Sequence, residues 1–147
     1  MEQVKEAFVF LLPRGYAIVE EADEGMGGGV TYRSAGVWID VGWERDGGVS
    51  LEFASTHSSW YGRVPWDNID HLLRGVARYE HEPPLFRTAS LDTLTKFVRT
   101  NLTEIEERFA GERRDATASF LERLERDRRQ RADDYWNRRV TPQAASE

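Results

Sequence analysis

The sequence predicts an α+β fold: an N-terminal helix, a four-stranded antiparallel β-meander, and C-terminal helices packed on one sheet face. Three observations predict it. Between residues 30 and 53, Val30, Tyr32, Val37, Ile39, Val41, Trp43, Leu51 and Phe53 alternate with polar or small residues, which is strand periodicity. Beyond residue 66 the apolar residues instead recur at helical spacing. The 147 residues are 39% hydrophobic and 12% aromatic, enough for one core and too few for a second full-sized one.

Taken in order, Val4, Ala7, Phe8, Leu11 and Leu12 form the stripe of a short amphipathic helix over residues 2–12. Pro13 and Gly15 stop it, and a first strand is expected over Tyr16–Glu21. The glycines between Ala22 and Gly29 read as a mobile loop outside any ladder. A two-residue turn at Ala35-Gly36 places Tyr32 opposite Ile39 and Val30 opposite Val41, so each pair shares an apolar face. For the next hairpin a loop of Asp46-Gly47-Gly48 is preferred, pairing Trp43 with Leu51 and Val41 with Phe53 and supplying glycine for a left-handed position. An irregular loop, Ser55–Pro65, precedes a helix from about Asp67 to Tyr79.

Pro83-Pro84 enforces an extended break. Ser90 then caps a longer helix bearing Leu91, Leu94, Phe97, Val98, Leu102, Ile105 and Phe109, and Gly111 interrupts it. A last helix runs from Arg113 to about Arg139 on a thin seam of Ala116, Phe120, Leu121 and Leu124, followed by Tyr135 and Trp136. Glu122→Arg126, Glu125→Arg129 and Asp127→Arg131 are i, i+4 pairs that suit an exposed helix. The expected organisation is a single α+β domain over 1–111, a charged helix over 112–139 extending from it, and a flexible tail over 140–147.

Charge divides the same way. Residues 112–139 carry nine arginines against seven acidic residues, whereas residues 1–111 carry a net charge of −7. An overall charge of −6 and a pI near 5.2 argue against a dedicated duplex-DNA binder, which needs a basic footprint. No nucleic-acid partner is expected. The longest apolar runs fall short of a membrane span, so neither a membrane association nor a cleaved secretory signal is expected. Eighteen of the 20 basic residues are Arg, a bias of GC-rich coding, and the expected setting is the cytoplasm of a bacterium. With no cysteine, disulfide frameworks, thiol catalysis and Cys-ligated zinc are excluded.

Other chemistry finds little support. His57, His71 and His81 form no HExxH or i, i+4 histidine pair, so no metal and no cofactor are expected. Ser58 and Ser59 follow His57 directly, without a GxSxG elbow. The Gly25–Gly29 run lacks the Lys-Ser/Thr of a phosphate loop, and Glu20, Glu21, Asp23 and Glu24 beside it repel phosphate. No catalytic residues are assigned.

Two surfaces remain. The stretch from His57 to Trp66 gathers Trp60, Tyr61, Arg63 and Trp66, residue types that dominate binding hot spots. The competing account has Trp66 stapling the following helix to the sheet. The polar face of the meander carries Thr31, Arg33, Trp38, Asp40, Glu44, Ser50, Glu52 and Ala54, with Arg33 opposite Trp38 as a cation–π pair. Against it stands the plain reading of a solvated face of an antiparallel sheet. The candidate partner-binding residues are Arg33, Trp38, Asp40, Glu44, Glu52, His57, Trp60 and Tyr61.

Three segments carry a resemblance. They are the step Leu11-Leu12-Pro13-Arg14-Gly15-Tyr16, the hairpin Val41-Gly42-Trp43-Glu44-Arg45-Asp46-Gly47-Gly48-Val49, and the Trp-led helix Trp66-Asp67-Asn68-Ile69-Asp70-His71-Leu72-Leu73. Over roughly residues 4–77 the chain resembles small bacterial α+β proteins of the polymorphic-toxin immunity protein type. The resemblance implies a cytosolic, non-catalytic protein that neutralises a toxin by binding it, and carries over no functional residues. The long Arg/Glu-rich C-terminus departs from that pattern.

The expected function is therefore a non-enzymatic protein-binding module with an acidic body suited to a basic protein partner. Self-association as a homo-dimer through residues 113–139 is a further expectation. The alternative is a small-molecule-binding domain or enzyme with a pocket between sheet and helices, using His57, Asp40 or Tyr61.

Overall fold

An antiparallel sheet of five strands, ordered as in the sequence, organises the molecule. The strands are β1 (Ala17–Asp23), β2 (Gly27–Arg33), β3 (Val37–Glu44), β4 (Val49–Ser55) and β5 (Val64–Pro65). The computed structural model describes residues 1–56, 62–78 and 89–140. The expected Pro83-Pro84 break and the tail beyond Val140 lie outside them.

The fold is α+β as the alternation predicts, with one strand more than expected. Val64 and Pro65 lie where an irregular loop was expected, and pair with Phe53 and Glu52. Two residues are too few to display a period, and the proline is tolerated because the strand is an edge.

The β2–β3 hairpin has the expected register, Tyr32 opposite Ile39 and Val30 opposite Val41. Ser34 fixes its turn, its Oγ accepting from Val37 N at 3.1 Å and Gly36 N at 3.4 Å. The β3–β4 register differs from the expectation. Val41 faces Leu51, Trp43 faces Val49, and Ile39 faces Phe53. The three-residue loop is Arg45-Asp46-Gly47, one position earlier, closed by Glu44 N donating to Gly48 O at 2.9 Å. Gly47 supplies the left-handed position at φ +90°, and Asp46 Oδ1 accepts from Gly48 N. Moving the loop by one shifts the pairing by two, which leaves every side chain on its own face.

The glycine-rich segment also departs from expectation, because Gly27, Gly28 and Gly29 belong to β2: all three pair with β3, and Gly28 and Gly29 pair with β1 as well. Their lack of side chains is a packing requirement. A Cβ on Gly28 would stand 2.2 Å from Ala22 O and 2.5 Å from the Trp43 ring. Only Glu24, Gly25 and Met26 make the turn.

The predicted first helix divides into α1 (Glu2–Ala7) and a 3-10 turn over Val9–Arg14. Pro13 has no N–H for an i→i−4 bond, and the chain tightens there before Gly15 turns it at φ +90°. Helix α2 (Trp66–Arg74) stops short of Tyr79 because Gly75 adopts φ +70° and its N–H and that of Val76 close on Leu72 O and His71 O. In α3 (Leu91–Phe109), Ser90 Oγ caps Thr93 N at 3.1 Å as expected. Helix α4 (Arg114–Val140) follows a short 3-10 turn at Gly111–Arg113.

One core joins these elements. Phe8, Leu11, Tyr32, Ile39, Val41, Leu51, Phe53, Ile69, Leu94, Val98, Leu102, Ile105, Phe109 and Leu121 all belong to it. The helices therefore cover the apolar face of the sheet. Trp66 is structural, 8% exposed and edge-on to Phe97 at 5.5 Å. On α4 the buried seam is Thr117, Leu121 and Leu124, whereas Ala116 is exposed. Thr117 is at home there because its hydroxyl donates to Arg108 O at 2.6 Å.

Candidate functional site

The face of the sheet opposite the helices is built from rows of directly opposed residues. One row runs Glu20, Thr31, Asp40, Glu52, Pro65 across all five strands. The adjacent row runs Ala22, Gly29, Gly42, Ser50 and has almost no side chain. Between them lies a shallow groove of about 210 Å³. Acidic groups rim a floor that is largely backbone.

The candidates on this face come together as the register requires. Arg33 and Trp38 are opposite each other, and the guanidinium carbon stands 4.9 Å from the Trp38 ring centroid. Asp40 sits centrally and is half-buried: it accepts from Thr31 Oγ1 at 2.5 Å and pairs with Arg63 Nε at 2.9 Å. Glu52 lies beside it on β4, and Glu44 is exposed at the far end of β3. His57, Trp60 and Tyr61 lie outside the described residues.

Two members of the face escaped the sequence reading. Glu20 reaches it because the register of β1 shifts between Ile18 and Glu20. Unbroken alternation would have put Glu20 on the same side as Ile18, so periodicity alone could not find it. The shift also leaves Val19 48% exposed and turns Glu21 toward α1, where it pairs with Lys5. That hydrogen bond from Lys5 to Glu21 holds the ammonium above its ordinary pKa. Arg63 was visible only as part of the aromatic stretch. Its pairing with Asp40 follows from β5 lying against β4, which no local pattern announces.

Behind the sheet, His71 is fully buried on α2, its Nδ1 2.7 Å from Asp67 O and 3.9 Å from Asp67 Oδ1. Among the described residues no group of three or more His, Cys, Asp or Glu side chains is placed to hold a metal ion. No helix among them is long and apolar enough to cross a membrane. No family model, curated protein or solved structure matches the chain.

Proposed function

We propose that the protein is a non-enzymatic binding module that docks a basic protein partner on the outer face of its sheet, in the manner of an immunity protein. The observation that supports this reading most is the row Glu20–Asp40–Glu52 rimming a groove floored by Gly29 and Gly42. A floor without side chains admits the long stem of a Lys or Arg, and the carboxylates receive its charge. Arg63 on Asp40 models that contact within the chain, and a partner's guanidinium would compete with it. Acidic rims of this kind speed encounter with a basic partner more than they tighten the final complex. In this reading Trp38, stacked on Arg33, is the apolar anchor at one end of the face.

The test is recovery of a partner from the native host with the wild-type chain, Glu52→Lys, Glu44→Lys and Trp38→Ala. A basic protein retained by the wild type and lost with Glu52→Lys is the expected result. Equal retention by all three variants removes this face as the docking surface. Trp60→Ala, compared alongside, tests the aromatic stretch separately.

A further inference from the structure

Strand β1 is an open edge of the sheet: β2 flanks it on one side, and no strand among the described residues flanks it on the other. The ladder decides which of its backbone groups are left over. Glu24 N donates to Gly27 O at 2.9 Å, and beyond the other end of β2 Ser34 N donates to Val37 O at 2.9 Å. Antiparallel pairs alternate between bonded and unbonded, so Ala22 with Gly29 and Glu20 with Thr31 are the bonded pairs of β1 and β2. The N–H and C=O groups of Glu21 and Asp23 therefore point away from β2. Such a row of backbone groups is a template for one more strand.

A strand laid there meets side-chain sites on both faces. On the helix side a concavity of about 450 Å³ lies between α1, the 3-10 turn and β1, with Val9, Leu12 and Ile18 in its lining. Val9 and Leu12 are 53% and 46% exposed, apolar side chains that the fold leaves at its surface. On the outer side stand Glu20 and the small Ala22.

Charge decides between occupants. The strand and its turn carry Glu20, Glu21, Asp23 and Glu24, and Glu2 and Glu6 line the concavity. Lys5, in the same lining, is engaged by Glu21 and Glu2. A second copy of the chain, added antiparallel through Glu21 and Asp23, would set carboxylates directly opposite carboxylates, which is destabilising. A basic segment meets the same groups favourably.

We propose that the β1 edge takes up an extended basic segment of another protein as an added strand of the sheet. The backbone of the segment bonds to Glu21 and Asp23. One of its apolar side chains enters the concavity over Ile18, and Lys or Arg side chains lie opposite Glu20 and Asp23. These bonds form at the rim of the sheet and not on the floor of Gly29 and Gly42, so the inference stands apart from the docking face, with which it shares Glu20 and Ala22.

The experiment is an NMR titration of the 15N-labelled full chain with the capped peptide Lys-Thr-Val-Lys-Val-Thr-Lys, whose side-chain order is the same in both directions. Saturable shifts of the Glu21 and Asp23 backbone amides, with slowed hydrogen exchange at both, are expected. Methylating the two valine nitrogens, which face β1, should weaken binding at least tenfold, whereas methylating the threonine nitrogens, which face solvent, should leave it nearly unchanged. The analogue with Glu in place of every Lys should not bind, and Glu20→Lys should weaken binding far more than Glu52→Lys. Silent Glu21 and Asp23 amides at millimolar peptide, or equal binding of the valine-methylated or the acidic peptide, overturns the proposal. Protection of the same two amides by dimerisation of the free chain overturns it in favour of a second copy. Shifts confined to Asp40 and Glu52 overturn it as well, while supporting the docking face.

Discussion

Tyr32 is buried to 1% exposure in the centre of the core, and its hydroxyl has no hydrogen-bond partner. Burial, with a smaller contribution from the Glu21 charge, pushes its pKa from 10.0 up to about 12. Tyr16 is pushed to about 12 as well, again chiefly by burial. A phenol that ionises near 10 in the unfolded chain and near 12 in the folded one leaves the folded state holding more protons between those values. Stability is then fully present below pH 10 and is lost as the pH climbs toward 12. Tyr32→Phe should flatten that alkaline loss. It should also raise stability at neutral pH by about 1 kcal/mol, because it removes a buried hydroxyl that nothing satisfies. Urea unfolding at pH 7 and pH 11 measures both effects, and a loss at pH 7 would mean that the hydroxyl is satisfied after all.

Elements were legible where a repeating pattern had length to act. Seven residues of β2 and eight of β3 gave the correct opposition of Tyr32 with Ile39. The period of two could not distinguish the observed β3–β4 register from one shifted by two residues, since both keep Leu51 and Phe53 inside. It could not count the glycines of β2 as strand either, because they advertise their place only through the Trp43 ring lying against them. The acidic face was legible in part for the same reason: Asp40, Glu44 and Glu52 follow the alternation, whereas Glu20 depends on a bulge and Arg63 on a two-residue strand. The β2 glycines give a direct test. Gly28→Ala should cost about 1–3 kcal/mol, since its methyl group would meet the Ala22 backbone and the Trp43 ring with no room to yield. Gly36→Ala, where a Cβ meets nothing within 4 Å and no positive φ is required, should be neutral or slightly stabilising by chemical denaturation.

Across the whole molecule, the question is where the folded body ends. The composition changes at residue 112, from a body of net charge −7 to a helix of nine arginines and seven acidic residues. The core does not change there. Leu121 and Leu124 are 1% and 0% exposed, and Thr117 ties the start of α4 back to α3 through Arg108 O. Removing two such leucines from a core costs about 2–5 kcal/mol each, which is most of the roughly 5–15 kcal/mol that holds a domain together. A chain ending at Gly111 should therefore lose its cooperative thermal transition. A chain ending at Gln130 keeps both leucines and should melt within a few degrees of the full one. Calorimetry on the two truncations distinguishes a charged helix that merely extends from the body from one that completes it. The shorter deletion also isolates the remaining surface for self-association. The outer half of α4 carries Trp136, 50% exposed and edge-on to Tyr135 at 5.6 Å, with Arg139 over the Tyr135 ring. A full-length dimer that sediments as a monomer once residues 131–147 are gone would place the interface on that end. An unchanged mass would exclude that end of α4 as the interface.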